Sequence, residues 1–259
     1  NQTYVRVTAR AASCKEAEAL AAPVAGRVRE LLGDVVWGVD EDSLEQAVVR
    51  MLAERREEVA TAESCTGGLV AKRLTDCAGS SAVFRTGLVT YANETKTRLL
   101  GVPEAMLAEH GAVSRQVART MAEAVRSRAG ATYGIGITGI AGPGGGTPQK
   151  PVGLVWIALA CPEATYVQKL PPFGGRYPGR DALRQRSAGM ALDMLRRRLQ
   201  GRPVCTGGGR EPGEKPLGAS ILQASDGPAP PLPWRGRERR HGRPPPAQPF
   251  PRTVTASLP

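Results

Sequence analysis

Residues 59–78 read VATAESCTGGLVAKRLTDCA, and the rest of the chain is organised around this stretch. The apolar run 59–62 predicts a buried strand, and 69–78 predicts a helix. The turn between them is rich in glycine and small hydroxyl residues. The first turn of a helix carries unpaired N–H groups and a partial positive charge, which favour a developing anion. We therefore interpret Ser64 as a candidate nucleophile; the alternative is that Ser64 and Thr66 only cap the helix.

The segments around this stretch alternate between strand-like and helix-like patterns. Further strands are predicted at 82–91, 133–138 and 152–161, and helices at 44–55, 94–100, 103–111, 115–129 and 180–200. The strands are almost continuously apolar, which is typical of a sheet buried on both faces. The pattern predicts a layered α/β/α domain with a mixed sheet over residues 43–200.

Residues 1–41 predict a smaller α+β unit. An alternating run at 4–9 predicts a strand, and Ser13 with Glu16 predicts a capping box that opens a helix ending near residue 32. Residues 34–39 predict a second strand. A unit of this size buries too little apolar surface to be expected to fold alone.

Residues 201–259 differ from the rest in composition. They hold 13 of the 22 prolines, and 9 Lys and Arg residues against 4 Asp and Glu. No periodic apolar pattern is present, so we expect a disordered tail. Residues 1–200 carry 26 basic and 20 acidic residues. This mild excess of positive charge does not by itself indicate a nucleic-acid-binding protein.

The cysteines and the hydropathy pattern exclude several classes. Five scattered cysteines without a C-x-x-C pair make a disulfide framework or a zinc site unexpected. There is no apolar run of 18 residues and no signal-like start, so we expect a soluble cytoplasmic protein without membrane contact. The chain begins at Asn1 without Met, and we expect a fragment of a longer protein.

A nucleophilic serine needs a base, and histidine is a poor candidate here. The two histidines are His110, before a glycine, and His241, in the tail; a G-x-S-x-G elbow is also absent. The remaining candidates are Tyr91 and Lys96 in the stretch TYANETK. A position near a helix N-terminus would lower the pKa of Lys96 and favour a neutral amine. The alternatives are a strand-end aromatic for Tyr91 and a solvated charge for Lys96.

A second informative loop spans residues 138–146, TGIAGPGGG. Its glycines would allow backbone N–H groups to approach an anion closely. It lacks the G-K-[ST] ending of a Walker A loop and does not match G-x-G-x-x-G. Taken alone, it also fits an ordinary flexible loop.

Six motifs together resemble a known family. TAESCTGG, TYANETK, GVP, GAVS, TGIAGPGGG and KPVG, in this order and spacing, are similar to the C-terminal domain of the CinA family, which also occurs alone as a PncC-type nicotinamide-nucleotide amidohydrolase. The similarity covers about residues 44–200, and residues 1–41 resemble the KH-like segment that precedes this domain. The resemblance implies metal-independent deamidation of nicotinamide mononucleotide to nicotinate mononucleotide and ammonia, without a cofactor. It also implies a homo-oligomer.

The resemblance assigns roles to residues. Ser64, Tyr91 and Lys96 take the catalytic positions, and backbone N–H groups near 66–68 would stabilise an oxyanion. Substrate-binding positions fall on Cys65, Thr66, Gly67, Gly68, Asn93, Thr138, Gly139, Gly142 and Arg180.

One loop departs from the family pattern. The family has Phe-x-Gly-Asp-Arg before its last helix, whereas residues 173–181 read FGGRYPGRD. We assign the substrate-facing arginine to Arg180. A domain that has lost activity is therefore an alternative, as is a nucleic-acid-binding protein. Residues 1–41 lack the G-x-x-G loop of nucleic-acid-binding KH domains, so nucleic acid is not the expected partner.

Overall fold

The structure, a computed structural model, describes residues 3–39, 42–174, 177–205 and 257–258. In chain order its elements are β1 (Val5–Arg6), α1 (Cys14–Leu32), α2 (Leu44–Arg55), β2 (Val59–Glu63), α3 (Leu69–Thr75), β3 (Phe84–Val89), α4 (Asn93–Leu100), α5 (Glu104–His110), α6 (Arg115–Ala129), β4 (Tyr133–Gly139), β5 (Val155–Ala160), β6 (Thr165–Lys169), α7 (Arg180–Leu199) and β7 (Ser257–Leu258). Single turns of 3-10 helix lie at Gly33–Val35 and Ser80–Ala82.

The main sheet is mixed, as predicted. Its strand order is β3-β2-β4-β5-β6. β2 runs parallel to both β3 and β4, whereas β5 and β6 continue the sheet in antiparallel pairing. The carboxyl ends of β2, β3 and β4 therefore meet at one edge, which is where ligands bind in many open α/β sheets.

Helices cover both faces of this sheet and confirm the layered α/β/α fold. α6 packs on one face, against β4, β5 and β2, while α2, α3 and α7 pack together on the other. Two glycines in β4 let α6 approach closely. A Cβ at Gly134 would lie 2.2 Å from the Ala122 carbonyl oxygen, and one at Gly136 would lie 2.4 Å from that of Ala118. These glycines therefore permit close packing between strand and helix.

Capping residues define the helix starts that the sequence predicts most sharply. Ser43 and Gln46 form a reciprocal capping box at the start of α2, and Ser114 Oγ accepts a hydrogen bond from the Val117 N–H in α6. Both helices have the predicted bounds. An N-cap side chain satisfies an amide that would otherwise lack an intrahelical partner.

The N-terminal segment differs from the prediction in its strands. α1 is confirmed, with Ser13 as N-cap, but β1 is two residues long and pairs antiparallel with β7. The predicted strand at 34–39 is wrong. Residues Gly33–Val35 form a 3-10 turn, and Asp34 is held by Arg196 and Arg197 of α7. These hydrogen bonds fix the segment on a helix instead of a sheet.

The end of the domain also contains features that the sequence analysis did not predict. β6 completes the sheet beside β5. Residues 201–205 follow α7 and place Val204 in the core. The predicted disorder of the remaining tail lies outside the described residues, apart from the two residues of β7.

Candidate active site

Ser64 lies in the turn that joins β2 to α3, at the carboxyl edge of the parallel strands. Its backbone N–H donates to the Ile137 carbonyl at 3.0 Å, and its own carbonyl accepts from the Gly67 N–H at 3.0 Å. Ser64 is 8% exposed. The first bond ties the serine to β4, and the second closes a tight turn directly behind it.

The N-terminus of α3 is occupied by Glu63, a buried carboxylate that the sequence analysis did not single out. Its two oxygens accept from the N–H groups of Val70 at 3.1 Å and Ala71 at 2.9 Å. The expectation that these helical N–H groups point at the site of Ser64 is therefore wrong. So is the alternative that Ser64 or Thr66 caps the helix, because the N-cap position is Gly68 and has no side-chain cap.

The donors left for an oxyanion lie in the turn itself. The Gly67 N–H is bound by the Ser64 carbonyl. In the described part of the chain, the backbone N–H groups of Thr66 and Gly68 donate to no backbone carbonyl or side chain. Of the predicted donors at 66–68, the N–H groups of Thr66 and Gly68 are therefore the ones left for an oxyanion.

Lys96 is buried in α4, with 1% of its surface exposed. Its Nζ donates to the carbonyls of Thr90 at 3.0 Å and Tyr91 at 3.2 Å. Burial lowers the pKa of Lys96 below its ordinary value, with partial opposition from Cys65 and Glu94. The predicted direction is thus found, but its main cause is loss of water around the amine and not the helix terminus.

Tyr91 contacts the site through both its backbone carbonyl and its phenol oxygen. Its backbone carbonyl holds Lys96, whereas its side chain is 59% exposed. The phenol oxygen accepts from Arg180 Nη2 at 2.7 Å, and Arg180 Nη1 donates to the Gly142 carbonyl at 2.9 Å. Arg180 therefore connects the end of β3 with the glycine-rich loop.

One cavity of about 190 Å³ collects these groups. Its lining consists of Ser64, Cys65, Tyr91, Asn93, Lys96, Ala112, Val113, Thr138, Gly139, Ala141 and Arg180. The three predicted catalytic residues and five of the predicted substrate-binding residues thus face the same space. Thr66, Gly67, Gly68 and Gly142 lie outside this lining, in the turn and loop behind it.

Two of the lining residues, Asn93 and Thr138, also have local structural positions that the structure defines. Asn93 is the first residue of α4, and Ala92 is its N-cap. Thr138 Oγ1 donates to the Ala112 carbonyl at 2.7 Å, so this hydroxyl fastens the opposite wall of the cavity.

The glycines of the predicted site are required by space and backbone conformation. A Cβ at Gly139 would lie 2.6 Å from Val155 Cγ2 and 3.0 Å from Cys65 Sγ. Gly142 has φ +74°, where a side chain is strained, and a Cβ there would lie 2.5 Å from Val152 Cγ1. The lack of a side chain lets Gly139 lie close to Cys65 in the serine turn and lets Gly142 lie close to Val152.

Two cations that sequence reasoning missed support the cavity from outside. Arg184 Nη2 donates to the Thr66 carbonyl at 2.8 Å. Lys150 Nζ donates to the carbonyls of Val113, at 2.9 Å, and His110. His110 itself is absent from the cavity lining. No spacing rule links these cations to their acceptors, so only the tertiary structure identifies them.

The Cys65 thiol lies beside Ser64 in the cavity lining. Burial raises the pKa of the Cys65 thiol to about 12, so it is protonated at neutral pH.

Among the described residues, no three His, Cys, Asp or Glu side chains come close enough together to hold a metal ion. No helix in the described part of the chain combines the length and apolar character that a membrane crossing requires.

The fold and site together define an α/β/α domain with a serine and a lysine buried at the carboxyl ends of parallel strands. Residues 41–199 match the family model described as the CinA C-terminal domain. The chain therefore belongs to the CinA family.

The relatives and solved structures agree with this assignment. A CinA-like protein from Desulfovibrio desulfuricans is 59% identical over 206 residues, covering 80% of this chain and 48% of that protein. A putative competence-damage inducible protein from Caldanaerobacter subterraneus is 47% identical, over 77% of this chain and 47% of that protein. The crystal structure of the competence/damage inducible protein CihA from Agrobacterium tumefaciens is 40% identical with a TM-score of 0.56, over 61% of this chain and 97% of that one. The chain thus spans about half the length of the curated relatives it matches.

Proposed function

We propose that this domain is a serine amidohydrolase that deamidates nicotinamide mononucleotide to nicotinate mononucleotide and ammonia. The observation that carries the proposal is the placement of Ser64 and Lys96 on one small cavity at the carboxyl ends of β2 and β3. The names of the relatives state no reaction, so the proposal rests on this chemistry and on the motif resemblance.

The hydrogen bonds of Lys96 support its role as the base. A neutral amine has two hydrogens and one lone pair. Two backbone carbonyls accept from Nζ, those of Thr90 and Tyr91, and burial already favours the neutral form. With both hydrogens committed to these carbonyls, the lone pair is left to accept the Ser64 proton.

The reaction then proceeds in two steps. Ser64 Oγ attacks the carboxamide carbon as Lys96 takes its proton, and the oxyanion is stabilised by N–H groups of the turn. The C–N bond breaks, Lys96 returns the proton to the leaving nitrogen, and ammonia departs. Lys96 then takes a proton from a water molecule that attacks the ester carbon, and returns it to Ser64 Oγ as the C–O bond breaks. The product leaves as the carboxylic acid, which loses its proton to solvent.

The cavity and its rim suit the two ends of such a substrate. Its volume of about 190 Å³ is below the roughly 300–1,000 Å³ of pockets that enclose a whole drug-sized ligand. It therefore holds the pyridine carboxamide, while the ribose and phosphate extend past the rim. Arg180 lies exposed at that rim and is available to a phosphate. The altered 173–181 loop thus still brings an arginine to the cavity.

The proposal is tested by ammonia release from nicotinamide mononucleotide, measured for the chain and for Ser64→Ala. Ser80→Ala is the matched control, because Ser80 is also 8% exposed and does not line the cavity. We expect release by the parent and by Ser80→Ala, no release by Ser64→Ala, and no effect of EDTA. A folded parent that releases no ammonia would overturn the proposal.

A further inference from the structure

Arg184 lies one helical turn beyond Arg180 in α7 but reaches a different target. It contacts the back of the serine turn, where Nη2 donates to the Thr66 carbonyl at 2.8 Å. It is not part of the cavity lining. Its side chain is about 30% exposed, and its nearest carboxylate partner is Asp181, at 4.0 Å. The guanidinium therefore acts on the turn and not on the cavity space.

The peptide group between Thr66 and Gly67 is held from both sides. A trans peptide directs its C=O and N–H in opposite directions. Arg184 binds the C=O, together with the Leu69 N–H at 3.3 Å, and the Ser64 carbonyl binds the N–H at 3.0 Å. The orientation of this peptide plane is therefore fixed by hydrogen bonds on both of its edges.

This fixation matters because the turn is built from residues with unusual backbone freedom. Gly67 and Gly68 have φ of +61° and +86°, and glycine populates both signs of φ about equally. Without the Arg184 hydrogen bond, the 66–67 peptide plane would be held only by the turn itself. The N–H groups next to it, those of Thr66 and Gly68, are the candidate oxyanion donors. Their direction depends on that plane.

The electrostatic effect of Arg184 also reaches the residue beside the nucleophile. Burial raises the pKa of the Cys65 thiol, and Arg180 and Arg184 both oppose this rise. A positive charge behind the turn therefore stabilises negative charge next to Ser64, where the oxyanion would form.

We propose that Arg184 is a positioning residue that holds the oxyanion-binding turn through the Thr66 carbonyl, without touching the substrate. The inference rests on the proposed amidohydrolase function. It assigns to α7 two arginines with different tasks: Arg180 at the rim for the substrate, and Arg184 behind the turn for the transition state.

The first test separates kcat from KM for Arg184→Ala and Arg184→Lys. Loss of oxyanion donors costs about 100-fold or more in kcat, so we expect Arg184→Ala to lower kcat by about 10- to 100-fold, with KM within about twofold. Arg184→Lys keeps the charge and a donor and should lose less. Arg186→Ala is the matched control, since Arg186 lies on the same helix over the Phe173 ring, 4.1 Å from its centroid. It should retain the parent kcat.

Chemical rescue distinguishes positioning from a merely structural role. Added methylguanidinium should restore part of kcat in Arg184→Ala, because it can occupy the vacated space and donate to the Thr66 carbonyl. It should not restore Ser64→Ala. A parental kcat in Arg184→Ala, or a loss confined to KM, would overturn the inference. If Arg184→Ala unfolds, the kcat of Arg184→Lys decides, and a value equal to the parent's also overturns it.

A second readout makes failure of this inference distinguishable from failure of the proposed function. A fluorophosphonate probe reacts with an activated serine, which displaces fluoride from phosphorus, and the phosphoryl oxygen that gains negative charge in the transition state lies where the oxyanion forms. We expect Ser64 to be labelled in the parent and labelled at least tenfold more slowly in Arg184→Ala. A parent that is labelled but releases no ammonia refutes the substrate alone, whereas equal labelling rates in parent and variant refute the role of Arg184. A parent that is not labelled and releases no ammonia refutes both the proposed function and the role of Arg184.

Discussion

The cavity at Ser64 and a larger cavity, which α3 lines, differ in how their charged side chains are paired. The larger cavity, of about 700 Å³, lies between α2, α3, α7 and the N-terminal segment that carries Trp37. The Ser64 cavity, of about 190 Å³, is much smaller. Of these two cavities, volume alone would favour the larger as a binding site.

Most of the charged side chains that line the larger cavity form ion pairs. Arg73 makes two hydrogen bonds to Glu45, at 3.1 and 2.9 Å. Arg197 pairs with Asp34 and Asp193, and Arg196 also pairs with Asp193. Because burial of a charge is costly unless it is paired, such pairs are what a structural interface requires.

The smaller cavity, at Ser64, contains a buried amine that has no carboxylate partner among the described residues. In the described part of the chain, Lys96 has no carboxylate within salt-bridge distance and is held by two carbonyls. A buried lysine in this state gives up its proton more readily, which is useful for a base and costly for stability. Uncompensated burial of a charge, and not cavity volume, is therefore what distinguishes the proposed active site from the larger cavity.

The largest expected effect comes from removing this amine. Lys96→Met should lower kcat by about 100- to 10,000-fold, the usual contribution of a general base, while the isosteric side chain keeps the core filled. Steady-state ammonia release measures it. Arg73→Met at the larger cavity should leave kcat within about twofold. Similar kcat losses in both variants would contradict the distinction between the cavities.

The pH dependence of kcat/KM tests whether Lys96 is the base. Lys96 must be neutral to accept a proton, so kcat/KM should rise about tenfold per pH unit below its pKa and level off above it. The midpoint should lie below the ordinary lysine value of 10.5, because burial lowers the pKa of Lys96. The Cys65 thiol, with a pKa near 12, does not titrate in this range.

The free energy of unfolding also depends on the protonation of Lys96. Between the lowered folded-state pKa of Lys96 and 10.5, the unfolded chain binds more protons than the folded one. The free energy of unfolding should therefore fall as the pH drops from 10.5 through the folded-state pKa. The raised pKa values of Cys65 and Cys161 give a slope of opposite sign above pH 9.0, and they act alike in parent and variant. Urea titrations across this range should therefore show a more positive slope of the free energy of unfolding against pH in the parent than in Lys96→Met. An unchanged slope in the variant would assign the proton to another group.

Charge removal at the larger cavity should act on stability alone. Breaking a buried ion pair from one side costs about 3–5 kcal/mol, and Glu45 and Arg73 keep 18% and 13% of their side-chain surface exposed. We therefore expect Glu45→Gln to lower the free energy of unfolding by about 1–3 kcal/mol, the range for an unsatisfied polar group, with kcat/KM unchanged. Urea unfolding and ammonia release are measured on the same sample. A large kcat/KM loss in the folded variant would show that the larger cavity takes part in the reaction.

The smallest effect is expected from Tyr91→Phe. This variant removes the phenol that Arg180 contacts but keeps the backbone carbonyl that holds Lys96. We expect kcat to fall less than about tenfold, below the usual range for a proton-transferring group, with a moderate rise in KM. A 100-fold fall in kcat would instead establish the phenol as a proton relay.

Much of the fold could be predicted because its signals are local. The bounds of α2 and α6 follow from Ser43 and Ser114, whose hydroxyls cap the helices that their neighbours' apolar spacing defines. The strand 34–39 could not be excluded in this way, because hydrogen bonds from α7 decide its conformation. β6 was missed because a short strand at the edge of the sheet takes its structure from pairing with β5.

The candidate site divides along the same line. The sequence by itself determined which residues carry reactive groups: Ser64 after an apolar strand, Lys96 in the TYANETK stretch, and the glycines of the 138–146 loop. Only the tertiary structure decided that Glu63 closes the helix terminus, that Arg184 holds the turn, and that burial is the main cause of the lowered Lys96 pKa. The physical reason is distance along the chain. Capping and spacing act over three or four residues, whereas Arg184 and Thr66 are 118 residues apart and meet only when α7 packs on α3.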